Sequence, residues 1–77
     1  MEGRNLMPLS MADSNAEYTV SRIQGKDEVR SHLSHLGIIP NEKIRIKQRM
    51  GRNVVVEVKG VRIALDASLA GRIWVMA

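Results

Sequence analysis

The rhythm of apolar and polar residues changes several times along this 77-residue chain, and each change marks an element. Residues 18–23 (Tyr-Thr-Val-Ser-Arg-Ile) alternate and are rich in β-formers, which predicts a strand that ends before Gly25. From Lys26 to Leu36 the period lengthens. Val29, Leu33 and Leu36 fall at i, i+4 and i+7, one stripe of a helix over 27–36. Asp27 and Glu28 suit its N-terminus through the helix macrodipole. Gly37 follows the last apolar residue, where a left-handed cap belongs, and Pro40 forbids continuation.

Three strand-like runs follow, separated by glycines. In 43–50 the alternation is strict, with Ile44, Ile46, Gln48 and Met50 on one face and Lys43, Arg45, Lys47 and Arg49 on the other. Gly51-Arg52-Asn53 reads as a hairpin turn. The run 54–59 turns Val54, Val56 and Val58 to one face, and 61–65 offers Val61, Ile63 and Leu65 to the core. Asp66 is placed to cap one helical turn through 67–70, Gly71 ends it, and 72–76 closes the chain as a strand. This order predicts a mainly β fold. It is a small, partly open SH3-like barrel of about five strands with one inserted helix and a short helical turn before the last strand. Closure hides the apolar face that a flat sheet of this size would expose. Residues 1–17 show neither periodicity and hold the polar cluster Asp13-Ser14-Asn15, so they are expected to form a disordered tail before a domain at 18–77.

Composition narrows the picture further. A chain this short supports one core, and with no cysteine it has neither a disulfide framework nor thiolate metal ligands to help it. Apolar packing must stabilise it, through Val, Ile, Leu and Ala with no Phe, one Tyr (Tyr18) and one Trp (Trp74). No stretch has the apolar length of a membrane span or of a signal-peptide core, and a cytoplasmic location is expected. Residues 1–17 carry a net charge of −2 and residues 18–77 one of +6. A basic domain attracts acidic partners, whether nucleic acid, anionic lipid or protein.

The run Leu33-Ser-His-Leu36-Gly37-Ile-Ile-Pro40, then alternating Ile44 and Ile46, then Val56-Glu-Val58-Lys-Gly60-Val-Arg-Ile63-Ala64-Leu65, then Leu69-Ala70-Gly-Arg-Ile73-Trp-Val75, resembles the ferrous-iron transport protein A (FeoA) family over about residues 18–76. The resemblance implies an SH3-like barrel and an accessory role beside a membrane GTPase-type transporter of ferrous iron, bound on its cytoplasmic side. Similar modules are fused behind metal-dependent repressors, so a repressor-like interaction module is the alternative at the level of fold. Three features differ from the family pattern. Where members usually carry a Leu-rich first segment ending in Pro-Gly before the first strand, this chain has the unpatterned residues 1–17, and two single positions differ as well. Asn41 follows Pro40 where glycine is usual, and asparagine also tolerates a positive φ. Asp66 stands where a basic residue is common.

Four features carry candidate chemistry. The basic row Lys43, Arg45, Lys47 and Arg49 suits phosphates or an acidic protein surface; the plainer reading is an edge strand guarded by charge. Nucleic acid is the secondary expectation, because these strands lack aromatic stacking platforms. His32 and His35 lie three apart on the predicted helix and are weak metal candidates. A tight site needs more ligands, so no resident metal and no cofactor are expected, and weak transition-metal binding at most. Gly25-Lys26 lacks the preceding Gly and the following Ser/Thr of a phosphate loop, and no activated nucleophile stands out, so the chain reads as a non-enzyme. Last, Leu36-Gly37-Ile38-Ile39-Pro40 puts four apolar side chains into one tight turn. Those left exposed would anchor a partner, with Arg45 and Lys47 as the charged rim; those buried would plug the barrel.

Overall fold

The computed structural model describes residues 6–76. Along the chain run β1 (Leu6–Pro8), a 3-10 turn (Leu9–Met11), β2 (Glu17–Ile23), α1 (Asp27–His35), β3 (Lys43–Met50), β4 (Asn53–Val58), β5 (Val61–Leu65), α2 (Ala67–Ala70) and β6 (Ile73–Met76). All strand pairs are antiparallel, and the six strands form one sheet in the order β1-β6-β2-β3-β4-β5. The sheet does not close; β1 and β5 are its two edges. Register shifts between Val20 and Arg22 and between Ile46 and Gln48 mark bulges in β2 and β3. Such bulges bend and twist a sheet, which lets this one wrap around its own apolar face.

The core is wholly apolar among the described residues, and its fully buried members include Leu9, Val20, Leu33, Ile38, Ile44, Ile46, Val56, Ile73 and Val75. Alternation explains most of it: Val54, Val56 and Val58 on β4 and Ile63 and Leu65 on β5 face inward, as expected. Val61 does not. It is 58% exposed, because it begins an edge strand that has no neighbouring strand on its far side among the described residues.

The N-terminal expectation is corrected. From Leu6 onward the segment is ordered: β1 pairs with β6, matching Pro8 to Trp74, and Leu9 and Ala12 are fully buried. Its pattern escapes a periodicity test because β1 has only three residues and the buried Leu9 sits in the 3-10 turn after it. Two contacts tether this segment. The Tyr18 hydroxyl accepts the Asp13 N–H at 3.1 Å, and the Arg49 guanidinium donates to the carbonyls of Ala12 and, at 2.8 Å, Ser10. The part of the expected tail at 1–5 lies outside the described residues.

Helix α1 ends as the sequence predicts, on Gly37 at φ +92°. The Ile38 N–H bonds the Leu33 carbonyl at 2.9 Å and the Gly37 N–H bonds the Ser34 carbonyl at 2.9 Å, the paired bonds of a Schellman motif. That motif brings the residue after the cap against the helix's last buried turn. Ile38 therefore packs inside with Leu33, while Leu36, expected to continue the stripe, caps the helix and stays outside. Asn41 takes φ +74°, as expected of the residue standing in for glycine. Asp66 caps α2 by accepting the Leu69 N–H at 2.9 Å.

Candidate functional site

The turn from α1 to β3 presents a small apolar surface. Leu36 is 37% and Ile39 39% exposed, Pro40 is exposed, and Ile38 between them is fully buried. Of the proposed anchors Leu36, Ile38, Ile39 and Pro40, the structure thus removes Ile38: it plugs the core. Gly37 supports the turn, since its left-handed φ suits a residue without Cβ. Backbone bonds fix the return, with Asn41 N–H on the Val20 carbonyl (2.8 Å) and Val20 N–H on the Glu42 carbonyl (2.9 Å). Across from it, the β4–β5 hairpin occupies the same end of the molecule. A side chain at Gly37 would meet Val58 at 3.7 Å, and Lys59 pairs with Glu42 at 3.5 Å. Exposed Val61, opposite Val58 in register, stands at that end too. It is the one apolar residue here that strand alternation misassigned to the core.

The basic row is not one surface. β3 is an interior strand between β2 and β4, so the edge-guard explanation fails. The bulge between Ile46 and Gln48 then reverses the alternation. Arg49 pairs in register with buried Val54 and points to the inner side, where it holds the carbonyls of Ser10 and Ala12. Gln48 joins the outer face opposite Val55. Arg45 and Lys47 keep acidic neighbours, with Arg45 at 3.9 Å from Glu17 and Lys47 at 3.5 Å from Glu57. In register, Glu17, Arg45, Glu57 and Arg62 form one row of alternating charge across four strands. Each exposed pair adds little stability, about 0.2–1 kcal/mol, yet together they remove the uninterrupted positive stripe that phosphates would need.

His32 and His35 are both exposed on α1, and among the described residues no three His, Cys, Asp or Glu side chains converge on a metal-sized site. Trp74 is half-buried on the outer face of β6, with the Arg22 guanidinium 5.7 Å above its ring, an arrangement typical of a cation–π contact. At the far end of β4 from the turn, a shallow groove of about 360 Å³ lies among Met50, Val55, Ala64 and Leu69.

This geometry has relatives. The FeoA domain family model matches residues 7–77. Among solved structures, an iron uptake regulatory protein (FeoA) is similar at 32% identity and TM-score 0.84, over 92% of this chain and 95% of that one. FeoA of Stenotrophomonas maltophilia, solved in complex with zinc and described as a prokaryotic SH3 domain protein, is 28% identical with TM-score 0.79, over 90% of this chain and 88% of that one. A manganese-dependent transcriptional repressor reaches TM-score 0.88 at 19% identity; it covers 99% of this chain, which spans only 44% of the repressor, and the likeness is one of fold. No curated protein matches the chain. The fold is SH3-like.

Proposed function

This chain belongs to the FeoA domain family, and from that premise we propose that it is a non-catalytic accessory protein of ferrous iron transport that docks onto the cytoplasmic part of a GTPase-type iron transporter. The observation that carries the reading is the α1–β3 turn. Leu36 and Ile39 stand out from a loop whose backbone is fixed by the Schellman bonds and by buried Ile38. A preformed apolar anchor gives up little conformational entropy on docking, which suits it to a partner interface. Arg45 and Lys47 lie on the outer face in ion pairs with Glu17 and Glu57, so they form only a weak charged rim and the apolar anchors carry the docking. The reading needs no cofactor and no resident metal, and it puts the protein in the cytoplasm. No helix among the described residues is long and apolar enough to cross a membrane.

The test compares the binding of wild type and Ile39→Asp to the purified cytoplasmic part of the host's GTPase-type iron transporter. Loss of an exposed anchor should weaken binding by more than about 1 kcal/mol with thermal stability nearly unchanged. An Ile39→Asp protein that folds and binds normally would place the partner elsewhere. Nucleic-acid binding is not adopted as a second reading, because Arg45, Lys47 and Arg49 are all engaged within the domain.

A further inference from the structure

The two edges of the sheet are unequal. β1 is three residues long and ends in Pro8, which has no N–H to offer. β5 is five residues long, with no proline, lysine or bulge, and among the described residues no strand pairs with its outer side. Its register shows which backbone groups are free. Lys59 (φ +52°) and Gly60 (φ +82°) form a two-residue turn with both central residues left-handed, so Val58 and Val61 flank it as a hydrogen-bonded pair. Bonded and non-bonded pairs alternate in an antiparallel ladder, so Val61, Ile63 and Leu65 bond to β4. The N–H and C=O groups of Arg62 and Ala64 therefore point away from the sheet, and no backbone bond reaches them from the turns or caps of the described residues.

From this we propose that the β5 edge is a strand-addition site for an extended segment of a partner protein that alternates apolar and acidic residues. Backbone pairing with Arg62 and Ala64 would give the affinity, and the side chains beside them set the preference. Arg62 is exposed and forms no ion pair among the described residues, because its register neighbour Glu57 is engaged by Lys47. An incoming acidic side chain opposite Arg62 completes the alternating row Glu17, Arg45, Glu57, Arg62 with its missing fifth member. The alternate residues of that segment lie on the other face beside Val61, which is 58% exposed, and extend the apolar layer of Ile63 and Leu65. A second copy of the chain is a poorer occupant, since each carries a net charge of +4. This surface approaches the α1–β3 turn only at Val61, and because it rests on the backbone of Arg62 and Ala64 it stands or falls without the turn.

The probe is a synthetic peptide of about ten residues alternating Val and Glu, titrated into the labelled protein while backbone amide resonances and hydrogen exchange are followed. Binding should shift and protect the amides of Arg62 and Ala64, while those of Val61, Ile63 and Leu65 are protected already. Ala64→Pro removes an outward N–H without touching the ladder to β4, and Arg62→Glu reverses the edge charge; each should weaken binding about tenfold. Ile39→Asp should change nothing. Should Ala64→Pro unfold, Arg62→Glu and the exchange pattern carry the test. The proposal is overturned by unchanged amides at 62 and 64, by equal binding of a peptide with the same Val and Glu in separate blocks, or by concentration-dependent self-association through β5. Binding lost with Ile39→Asp and kept in both edge variants would likewise overturn it.

Discussion

Shortening Ile38 and Ile39 in turn separates the core from the surface within one dipeptide. Ile38 is fully buried, its N–H closes the bond to Leu33, and Leu33 is itself fully buried. Ile38→Val removes one methyl group and should cost about 0.5–1.5 kcal/mol; Ile38→Ala should cost about 2–5 kcal/mol, the transfer term plus the cavity left behind. Ile39, 39% exposed, leaves no cavity, and Ile39→Ala should stay within about 0.5 kcal/mol. A domain of this length has roughly 4–12 kcal/mol of stability, so Ile38→Ala removes a large share of it. Each kcal/mol moves Tm by about 4–8 °C at this size, which predicts a fall of more than about 8 °C for Ile38→Ala and less than about 4 °C for Ile39→Ala. Urea unfolding with an unchanged m-value would show that the loss lies in the native state. Equal losses for the two alanine variants would refute the assignment of Ile38 to the core and Ile39 to the surface.

Gly37→Ala should destabilise by upwards of about 1 kcal/mol, because φ is +92° there and an added Cβ meets only Val58 at an ordinary 3.7 Å; a D-alanine at 37, made by semisynthesis, should remove the penalty. Arg49→Ala should cost about 1–2 kcal/mol and speed amide exchange in residues 9–12, and Arg49→Lys should not restore it, since one ammonium cannot reproduce the fork on the Ser10 and Ala12 carbonyls. A salt titration of duplex DNA by fluorescence anisotropy should show no submicromolar binding and a shallow slope; a slope steep enough for several phosphate contacts would restore the nucleic-acid reading.

The helix, its cap and the meander were legible because each rests on a local rule. Gly37, Asn41 and Asp66 all sit where backbone geometry or a capping oxygen is required, and those requirements leave marks within a few residues. What the local rules could not decide was which of Leu36, Ile38 and Ile39 the core would take. The helical stripe favoured Leu36, but the Schellman bond from Ile38 to Leu33 carries the chain back over the helix end and buries Ile38. The ordered segment from Leu6 was hidden for a different reason. Leu9 is buried by partners far along the chain, and Arg49, which bonds to its neighbours, lies almost forty residues away.

The bulge in β3 had the largest consequence for function. Strict alternation over 43–50 yields a face of four cations, and on a regular strand that face would favour phosphate. One added residue between Ile46 and Gln48 reverses the sides of everything after it. Arg49 becomes an internal clamp on the N-terminal segment, and the outer face keeps Arg45 and Lys47 beside glutamates on β2 and β4. Nothing in the residues 43–50 alone announces that reversal, because both registers satisfy the local pattern. Its cause lies in the neighbours: with Arg49 turned inward, the carbonyls of Ser10 and Ala12 gain a donor, and Gln48 takes the solvated face. A charge row read from sequence is therefore a statement about a face only after the strand's register has been fixed on both sides. Here that register turns the surface from a general attractor of polyanions into a patterned one, in which an acidic group is wanted chiefly beside Arg62, at the open edge.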